Sequence, residues 1–449
     1  MTPLFLIWAL SAASAQPPRL AIDLAQAEQA ALAHSPLLQA AASNVAAAEA
    51  QVEAQFAQLV PRVTLDGSYQ YQTQVPRVSL APNAPAFQFG DHNAYSIGPT
   101  LAYTLWDQGA LLDAWHSQKA LAASQDAQRD LVRRQVVLMA RLDYFQVQLA
   151  LERERSQTDS LRVAEAQYRD IDSRLREGAA TRIDWLSARE QVIGRRRDLR
   201  SAQAEVAAAL RALFALTGRG QDLDVSAPID ARIGQPTPTG LSTPTVVVEA
   251  EPLEALEARL ASAAAGSVDE AYPQLLLYGR QSESERLAAA STAAGRWPRI
   301  QLSFRSDYLY PNLPLLASTW QNVVGLSASV PLFESGRTGR LADVQRRAAD
   351  AAASRRDEAY DELLLDWHKA RDQFMALRDQ EALDAVSVSE TDEIARLRFA
   401  SYHDGGSTIL DVETANLNAV EARVAAARTK AQILIQLATL DSLSTRGNR

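Results

Sequence analysis

Two stretches of period-two alternation constrain this chain more than any other feature. The second is the cleaner. After Pro298, residues Ile300, Leu302, Phe304, Tyr308 and Tyr310 occupy alternate positions, broken only by Ser306, with Gln301, Ser303, Arg305 and Asp307 between them. Beyond Pro311-Asn312-Leu313-Pro314 the pattern resumes as Val324, Leu326, Ala328, Val330 and Leu332 against Gly325, Ser327 and Ser329. The first stretch runs from Pro61 to Gly109. Val63, Leu65, Tyr69, Tyr71 and Val75 alternate with Thr64, Asp66, Ser68, Gln70, Gln72 and Gln74, and Tyr95, Ile97, Leu101, Tyr103 and Leu105 alternate with Ser96, Gly98, Thr100 and Thr104. Alternation of this kind puts one face of a strand in an apolar medium and the other in a polar one. It predicts strands at about 62–75, 94–106, 299–310 and 320–333, each long enough to cross a bilayer when tilted.

Four strands cannot close a barrel, and an open edge in lipid leaves backbone groups unpaired at several kcal/mol each. Membrane barrels start at about eight strands, so other copies of the chain must supply the rest. A dimer would give eight strands and a trimer twelve; the strand count does not choose between them.

Everything else reads as helix. Helices are predicted over 20–33 and 37–60, the latter stopped by Pro61. A very long one runs over 110–176 with Leu138, Leu142, Phe145 and Leu149 as a stripe, and another over 181–216 with Val192, Leu199, Val206 and Leu213 at seven-residue intervals. A segment rich in Pro, Thr and Gly follows at 217–252. The same order then recurs: helices at 254–265 and 274–295, the hairpin, a long helix to Tyr402, and a last helix carrying Leu417, Val420, Val424, Ala427, Ala431, Leu434 and Ala438.

The spacings show a duplication. Pro36 to Pro61 and Pro273 to Pro298 both span 25 residues, and Gly109 to Gly178 and Gly336 to Gly405 both span 69. Pro61-Arg62-Val63-x-Leu65 matches Pro298-Arg299-Ile300-x-Leu302, and Leu105-Trp106-Asp107-x-Gly109 matches Leu332-Phe333-Glu334-x-Gly336. Thr181-Arg182-Ile183-Asp184 matches Thr408-Ile409-Leu410-Asp411. The domain reading is a signal peptide at 1–15, a first repeat at 16–252 with its helical turn at 176–181, and a second at 253–449 with its turn at 403–408. The signal rests on the short apolar run Leu4 to Leu10 and Ala13-Ser14-Ala15 before Gln16. Each long helix would span about 100 Å at 1.5 Å per residue, and the two shorter helices of each half, end to end, about 90 Å. Side by side they suit the wall of a long cylinder.

Composition narrows the chemistry. A net charge of −9 argues against a nucleic-acid partner. The absence of cysteine excludes disulfides, thiolate metal sites and a cysteine nucleophile. The five histidines, His34, His92, His116, His368 and His403, show no ligand spacing. No phosphate loop, nucleophile elbow or His-acid-Ser set is present, so no catalytic residue, cofactor site or metal site is expected. The chain carries no run of about 18 apolar residues that would make a transmembrane helix.

Both strand starts, both Leu-aromatic-acid-x-Gly strand ends and the segment Tyr402-x-x-Gly405-x-x-Thr408-x-x-Asp411-Val412 resemble the TolC family of outer-membrane efflux proteins. The resemblance covers nearly all of the mature chain. It implies a mainly α fold with transmembrane β structure: a homotrimer whose four strands per chain make a twelve-stranded barrel in outer-membrane lipid, above a helical barrel reaching across the periplasm of a Gram-negative cell. It further implies a passive exit duct for small molecules in a tripartite pump, with a periplasmic adaptor and an inner-membrane transporter as partners. The turn residues Arg176, Glu177, Gly178, Thr181, His403, Asp404, Gly405 and Thr408 would dock the adaptor. The position of Asp411 would line the periplasmic constriction, with Asp184 at the matching point of the first repeat. The family often carries a second acid three residues on, where this chain has Thr414.

Plainer roles stand beside these. Gly178 and Gly405 suit helix C-caps, and Asp184 and Asp411 suit helix N-termini. The tyrosines Tyr69, Tyr71, Tyr95, Tyr103, Tyr308 and Tyr310 fit an aromatic girdle. The Pro-rich segments 76–93 and 311–318 fit extracellular loops. A type I protein-secretion duct would use the same fold. A coiled-coil envelope protein without a pore would have no use for the hairpins. The exported substrate and the transporter class are not written in these residues.

Overall fold

The computed structural model describes residues 19–78, 87–88, 90–218, 247–251, 253–312 and 316–444. The predicted signal peptide, most of the 217–252 segment and parts of both hairpin loops lie outside them. The first half runs β1 (Arg19–Ile22), α1 (Leu24–His34), α2 (Pro36–Phe56), β2 (Arg62–Tyr71), the short pair β3 (Arg77–Val78) and β4 (Phe87–Gln88), β5 (Asn93–Trp106), α3 (Ala110–Arg176) and α4 (Arg182–Thr217). The second runs β6 (Val247–Ala250), α5 (Leu253–Leu260), α6 (Pro273–Ala294), β7 (Arg299–Tyr310), β8 (Thr319–Ser329), α7 (Arg337–His403) and α8 (Ile409–Leu443). This is the mainly helical, duplicated architecture with four long strands that the alternation predicted.

The long helices α3 and α7 have 67 residues each. Neither holds a proline, and their sole glycine, Gly339, lies in the first turn of α7. Both are entered by the same turn. Gln108 and Gly109 have φ of 56° and 83°, and Ser335 and Gly336 have 50° and 76°. Asp107 completes the first entry by accepting from the backbone N–H of Gly109 and of Leu111 at 3.1 and 3.0 Å.

Contacts divide the chain into two compact units, each drawn from both halves. One unit comprises residues 39–131 and 271–361 and contains the long strands. Its sheet has the order β2-β5-β7-β8, antiparallel throughout. The register assigns the faces. Leu65, Tyr69 and Tyr71 share one face with Tyr95, Ile97 and Leu101, then Leu302, Phe304 and Tyr308, then Trp320, Val324 and Leu326. The other face carries Thr64, Asp66, Ser68, Thr100, Ser303, Arg305, Asp307, Gln321 and Ser327. Gly98 is fixed by crowding on this polar face: a Cβ there would lie 2.0 Å from the Ser306 carbonyl oxygen and 2.6 Å from Asp307 Oδ1. Aromatic rings gather at the loop end. Tyr95 stacks on Tyr310 at 5.3 Å between centroids, and Tyr308 meets Trp320 at 5.6 Å.

Below the sheet the helices of this unit touch through small residues. Ser117 and Ser284 each donate to the other's backbone carbonyl at 2.9 Å. Buried Ala342, Ala349, Ala352 and Ala359 line α7. Small contact residues bring helix axes together, since interaxial distance follows side-chain size.

The other unit comprises residues up to 38 with 132–270 and 362–449. Its core joins Leu24 of α1, Tyr144 and Phe145 of α3, Leu210 and Leu213 of α4, Leu256 of α5 and Leu434 and Leu437 of α8. Arg141 reaches two helices at once, donating from Nε to Glu28 at 2.7 Å and from Nη1 to Asp441 at 2.6 Å. Burial pushes the Tyr144 phenol up to about 12. Its oxygen accepts from the Glu251 N–H at 3.0 Å.

Two local expectations are corrected here. The helix expected over 20–33 begins only at Leu24, because Asp23 caps it by accepting from the Ala25 N–H. Residues 19–22 instead pair in parallel with β6, Arg19 against Val247 through Ile22 against Ala250. The 217–252 segment therefore contains a strand, which four residues paired more than 200 positions away do not announce. The strands also stop short of two expected ends, at Tyr71 rather than 75 and at Ser329 rather than 333.

Candidate functional site

The candidate site is the pair of turns joining α3 to α4 and α7 to α8, both in the second unit. Each closes its helix by the same three bonds. In the first, the N–H groups of Glu177, Gly178 and Ala179 donate to Ser173, Leu175 and Arg174; in the second, those of Asp404, Gly405 and Gly406 donate to Ala400, Tyr402 and Ser401. The longest-reaching bonds, Ala179 to Arg174 at 2.7 Å and Gly406 to Ser401 at 2.8 Å, span five residues, the mark of a Schellman motif. The motif needs a left-handed residue, supplied by Gly178 at φ 74° and Gly405 at φ 82°.

The following helices start identically as well. Thr181 Oγ1 accepts from the Asp184 N–H at 3.1 Å, and Asp184 Oδ2 accepts from the Thr181 N–H at 3.0 Å. Thr408 and Asp411 repeat this at 3.3 and 2.9 Å. These are capping boxes with Asp in the place of the usual Glu. The Thr408 backbone N–H, and then its hydroxyl, hold the Asp411 carboxyl below the ordinary carboxylate range. Both of these bonds fall on Oδ2. Thr414 donates its hydroxyl to the Leu410 carbonyl of its own helix at 2.9 Å.

Between the turns lies a small buried cluster: Ile171, Ala188, Ile409 and Val412, with Tyr168, Trp185, Phe399 and Tyr402 packed against it. Arg174 links the two turns directly. It donates to the His403 carbonyl at 2.9 Å and lies 5.6 Å from the Tyr402 ring centre. Burial pushes the Tyr402 phenol up, and the Asp184 carboxylate adds to the shift. Trp185 donates to Asp172 at 2.8 Å beneath the Arg182 guanidinium, 4.1 Å away, while Arg176 pairs with the other oxygen of Asp172. Glu177 accepts from Ser173 at 3.2 Å, and His403 and Asp404 lie 3.6 Å apart in solvent. Two apolar side chains at equivalent positions stand outside the cluster, Ile183 at 74 % and Leu410 at 66 % exposure.

Sequence reasoning found the turn residues but missed Arg174 and Trp185. The available signal was Trp185 itself, one of seven tryptophans in a chain only 6 % aromatic; the link from Arg174 to His403 spans 229 residues and leaves no local trace. Among the described residues no three His, Asp or Glu side chains gather as a metal would require.

The profile of the outer membrane efflux protein family matches residues 27–219 and 253–445, one stretch in each repeat. The chain belongs to that family. It is thus an outer-membrane efflux protein of the TolC type, as its repeated motifs predicted. Solved structures share the fold at low identity. VceC of Vibrio cholerae is 17% identical with a TM-score of 0.73, over 94% of this chain and 95% of that one. A Pseudomonas aeruginosa membrane protein is 20% identical with a TM-score of 0.71, over 93% and 92%. The Campylobacter jejuni CmeC outer membrane channel is 18% identical with a TM-score of 0.70, over 95% and 87%. No curated protein matches the sequence.

Proposed function

We propose that three copies of this outer-membrane efflux protein form a passive duct, through which small molecules leave the cell by way of an inner-membrane transporter and a periplasmic adaptor. The observation that carries the reading is a four-stranded sheet with one apolar face, one polar face and two edge strands, β2 and β8. Such edges are tolerated in lipid only when another chain completes the ladder. Tyr95 and Trp106 lie eleven positions apart on β5, about 37 Å along the strand. At a tilt of about 45° this is roughly 26 Å, matching the apolar band between two aromatic girdles. Exposed Leu383, Val386, Ile394 and Leu397 share one face of α7 and offer a neighbouring copy an apolar strip.

The turns form the periplasmic end in this reading. Arg176, Glu177, Gly178, Thr181, His403, Asp404, Gly405 and Thr408, with exposed Ile183 and Leu410 beside them, dock the adaptor. Asp411 forms the narrowest charged ring, its Oδ1 turned to the channel while Oδ2 caps the helix; Asp184 is its counterpart, and Thr414 adds no charge. Three carboxylates near one axis attract cations and hold polyvalent ones. Single-channel recording in planar bilayers tests this. Low conductance, cation preference and block by trivalent cations from the periplasmic side are expected, with Asp411→Ala weakening both preference and block. Unchanged selectivity and block in that variant would return Asp411 to a capping role alone. A monodisperse, water-soluble monomer in the absence of detergent would sink the duct itself.

A further inference from the structure

The second unit holds a cavity of about 490 Å³, a size usual for small-molecule sites. One face of α3 and one face of α8 form its long walls. Gln148, Leu151, Glu152, Arg155 and Ser156 follow one another at helical spacing on α3, and Arg423, Ala426, Ala427 and Lys430 do so on α8. The two helices run in opposite directions here: Arg141 meets Asp441 while, further along α3, Gln167 meets Asn416. Gln148 and Lys430 therefore share one end of the cavity, and Arg155 and Arg423 the other. Seven residues on each wall separate the ends, about 10 Å at 1.5 Å per residue.

The ends differ in chemistry. At the first, Glu251 just beyond β6 and Glu254 of α5 close the cavity. Glu251 accepts from Arg259 at 3.0 Å and Glu254 from Lys430 at 2.8 Å, and a carboxylate with two oxygens has room for further donors. Gln148 is 3 % exposed. Its Nε2 donates to the Glu251 carbonyl, which fixes Oε1 as the acceptor, and Oε1 is buried with no partner among the described residues. At the other end Arg155 gives Nη1 to Glu152 at 2.5 Å and Arg423 gives Nη2 to Asp392 at 2.6 Å. A guanidinium carries five N–H groups, so both keep donors for a second carboxylate. Between the ends the walls are apolar, with Leu151 on α3 and Ala426 and Ala427 on α8.

We propose that this cavity binds a linear peptide of about three residues with both of its ends free. Acceptors at one end and spare guanidinium donors at the other fit a zwitterion; a lone cation or anion would use one end only. The length follows from the spacing, since an extended chain covers about 3.3–3.6 Å per residue. The peptide ammonium lies toward Glu251, Glu254 and the Gln148 Oε1. Its middle lies along Leu151, Ala426 and Ala427, and its carboxylate meets the Arg155 and Arg423 forks. The site lies within one chain and apart from the turns, and it stands whether or not the duct reading does.

Isothermal titration calorimetry of the full-length protein in detergent tests this with trialanine, N-acetyl-trialanine and trialanine amide. Trialanine should bind, and each blocked form should bind at least about tenfold more weakly, the difference expected for a hydrogen bond to a charged group. Arg155→Gln, at a side chain 66 % exposed, should weaken trialanine to a similar degree and leave the amide, already without its carboxylate, unaltered. Glu254→Gln should weaken trialanine and spare the acetyl form, already without its ammonium. Equal affinity for the free and blocked peptides overturns the two-ended assignment. Weakening of all three peptides alike in both variants overturns the roles given to the two ends. No binding of trialanine by the folded, unsubstituted protein overturns the site.

Discussion

The two helical turns and the second strands of the two hairpins have the same origin and have fared differently. The turns after α3 and α7 agree bond for bond, from the Schellman closure at Gly178 and Gly405 to the capping boxes at Thr181 and Thr408. The strands β5 and β8 agree only as far as Ala102 and Ser329. A turn satisfies its own backbone within about six residues. A strand satisfies half of its groups on each neighbour, so its end is decided by what lies beside it. The turns are complete in one chain; the sheet is not.

The comparison predicts where damage will spread. The largest effect should come from Gly98→Val. The side chain would drive into the Ser306 carbonyl, over ~3 kcal/mol by the standards of overpacking, and would part β5 from β7. The expected outcome is loss of the heat-modifiable oligomer on gels of outer membranes. Folded oligomer at normal yield would show the two hairpins to be independent.

Next comes a pair of arginines on neighbouring residues of β7. Leu302→Arg places a charge on the apolar face at a cost of about 2–4 kcal/mol, while Ser303→Arg, on the polar face, should be nearly neutral. Urea unfolding of protein reconstituted in lipid measures both. The reverse order would exchange the faces of the sheet.

The turns should respond less, and equally. Thr181→Ala and Thr408→Ala each remove one cap, about 1 kcal/mol, read as faster amide exchange in the first turns of α4 and α8. Unequal losses would mean that the surroundings, rather than the shared local bonds, stabilise one turn.

The smallest effect is one of pH. The folded-state pKa of Asp411 lies below its ordinary value of 3.8. Its contribution is therefore fully present above that value and is lost as pH falls through the lower folded value. Amide protection at Val412 should drop on acidification below about pH 4, and Asp411→Asn should flatten that dependence. An unchanged profile in the variant would place the titration elsewhere.

Much of the architecture was legible because it depends on local rules. Alternation marked the strand faces, the stripe of Leu138, Leu142, Phe145 and Leu149 marked the first long helix, and the repeat marked the second. Gly178 and Gly405 marked the turns. The capping boxes were half visible, since Asp184 and Asp411 stood out as acids at helix starts while Asp in place of Glu hid their bonds to Thr181 and Thr408. What stayed hidden joins distant residues: β1 with β6, β5 with β7, and Arg174 with the His403 carbonyl. No periodicity encodes a partner two hundred residues away. The end of β8 was misread for the related reason that alternation records where a strand can form, not whether its neighbour is present.

Arg141 sets a clock on the assembly of its unit. It holds Glu28 of the first repeat and Asp441 of the second, 413 positions apart in the chain. The fork cannot close until Asp441 has been made, whereas both hairpins, complete by Ser329, are available more than a hundred residues sooner. A chain that stops before Asp441 would therefore keep its membrane strands and leave the poorly solvated Arg141 guanidinium with Glu28 alone of its two carboxylates.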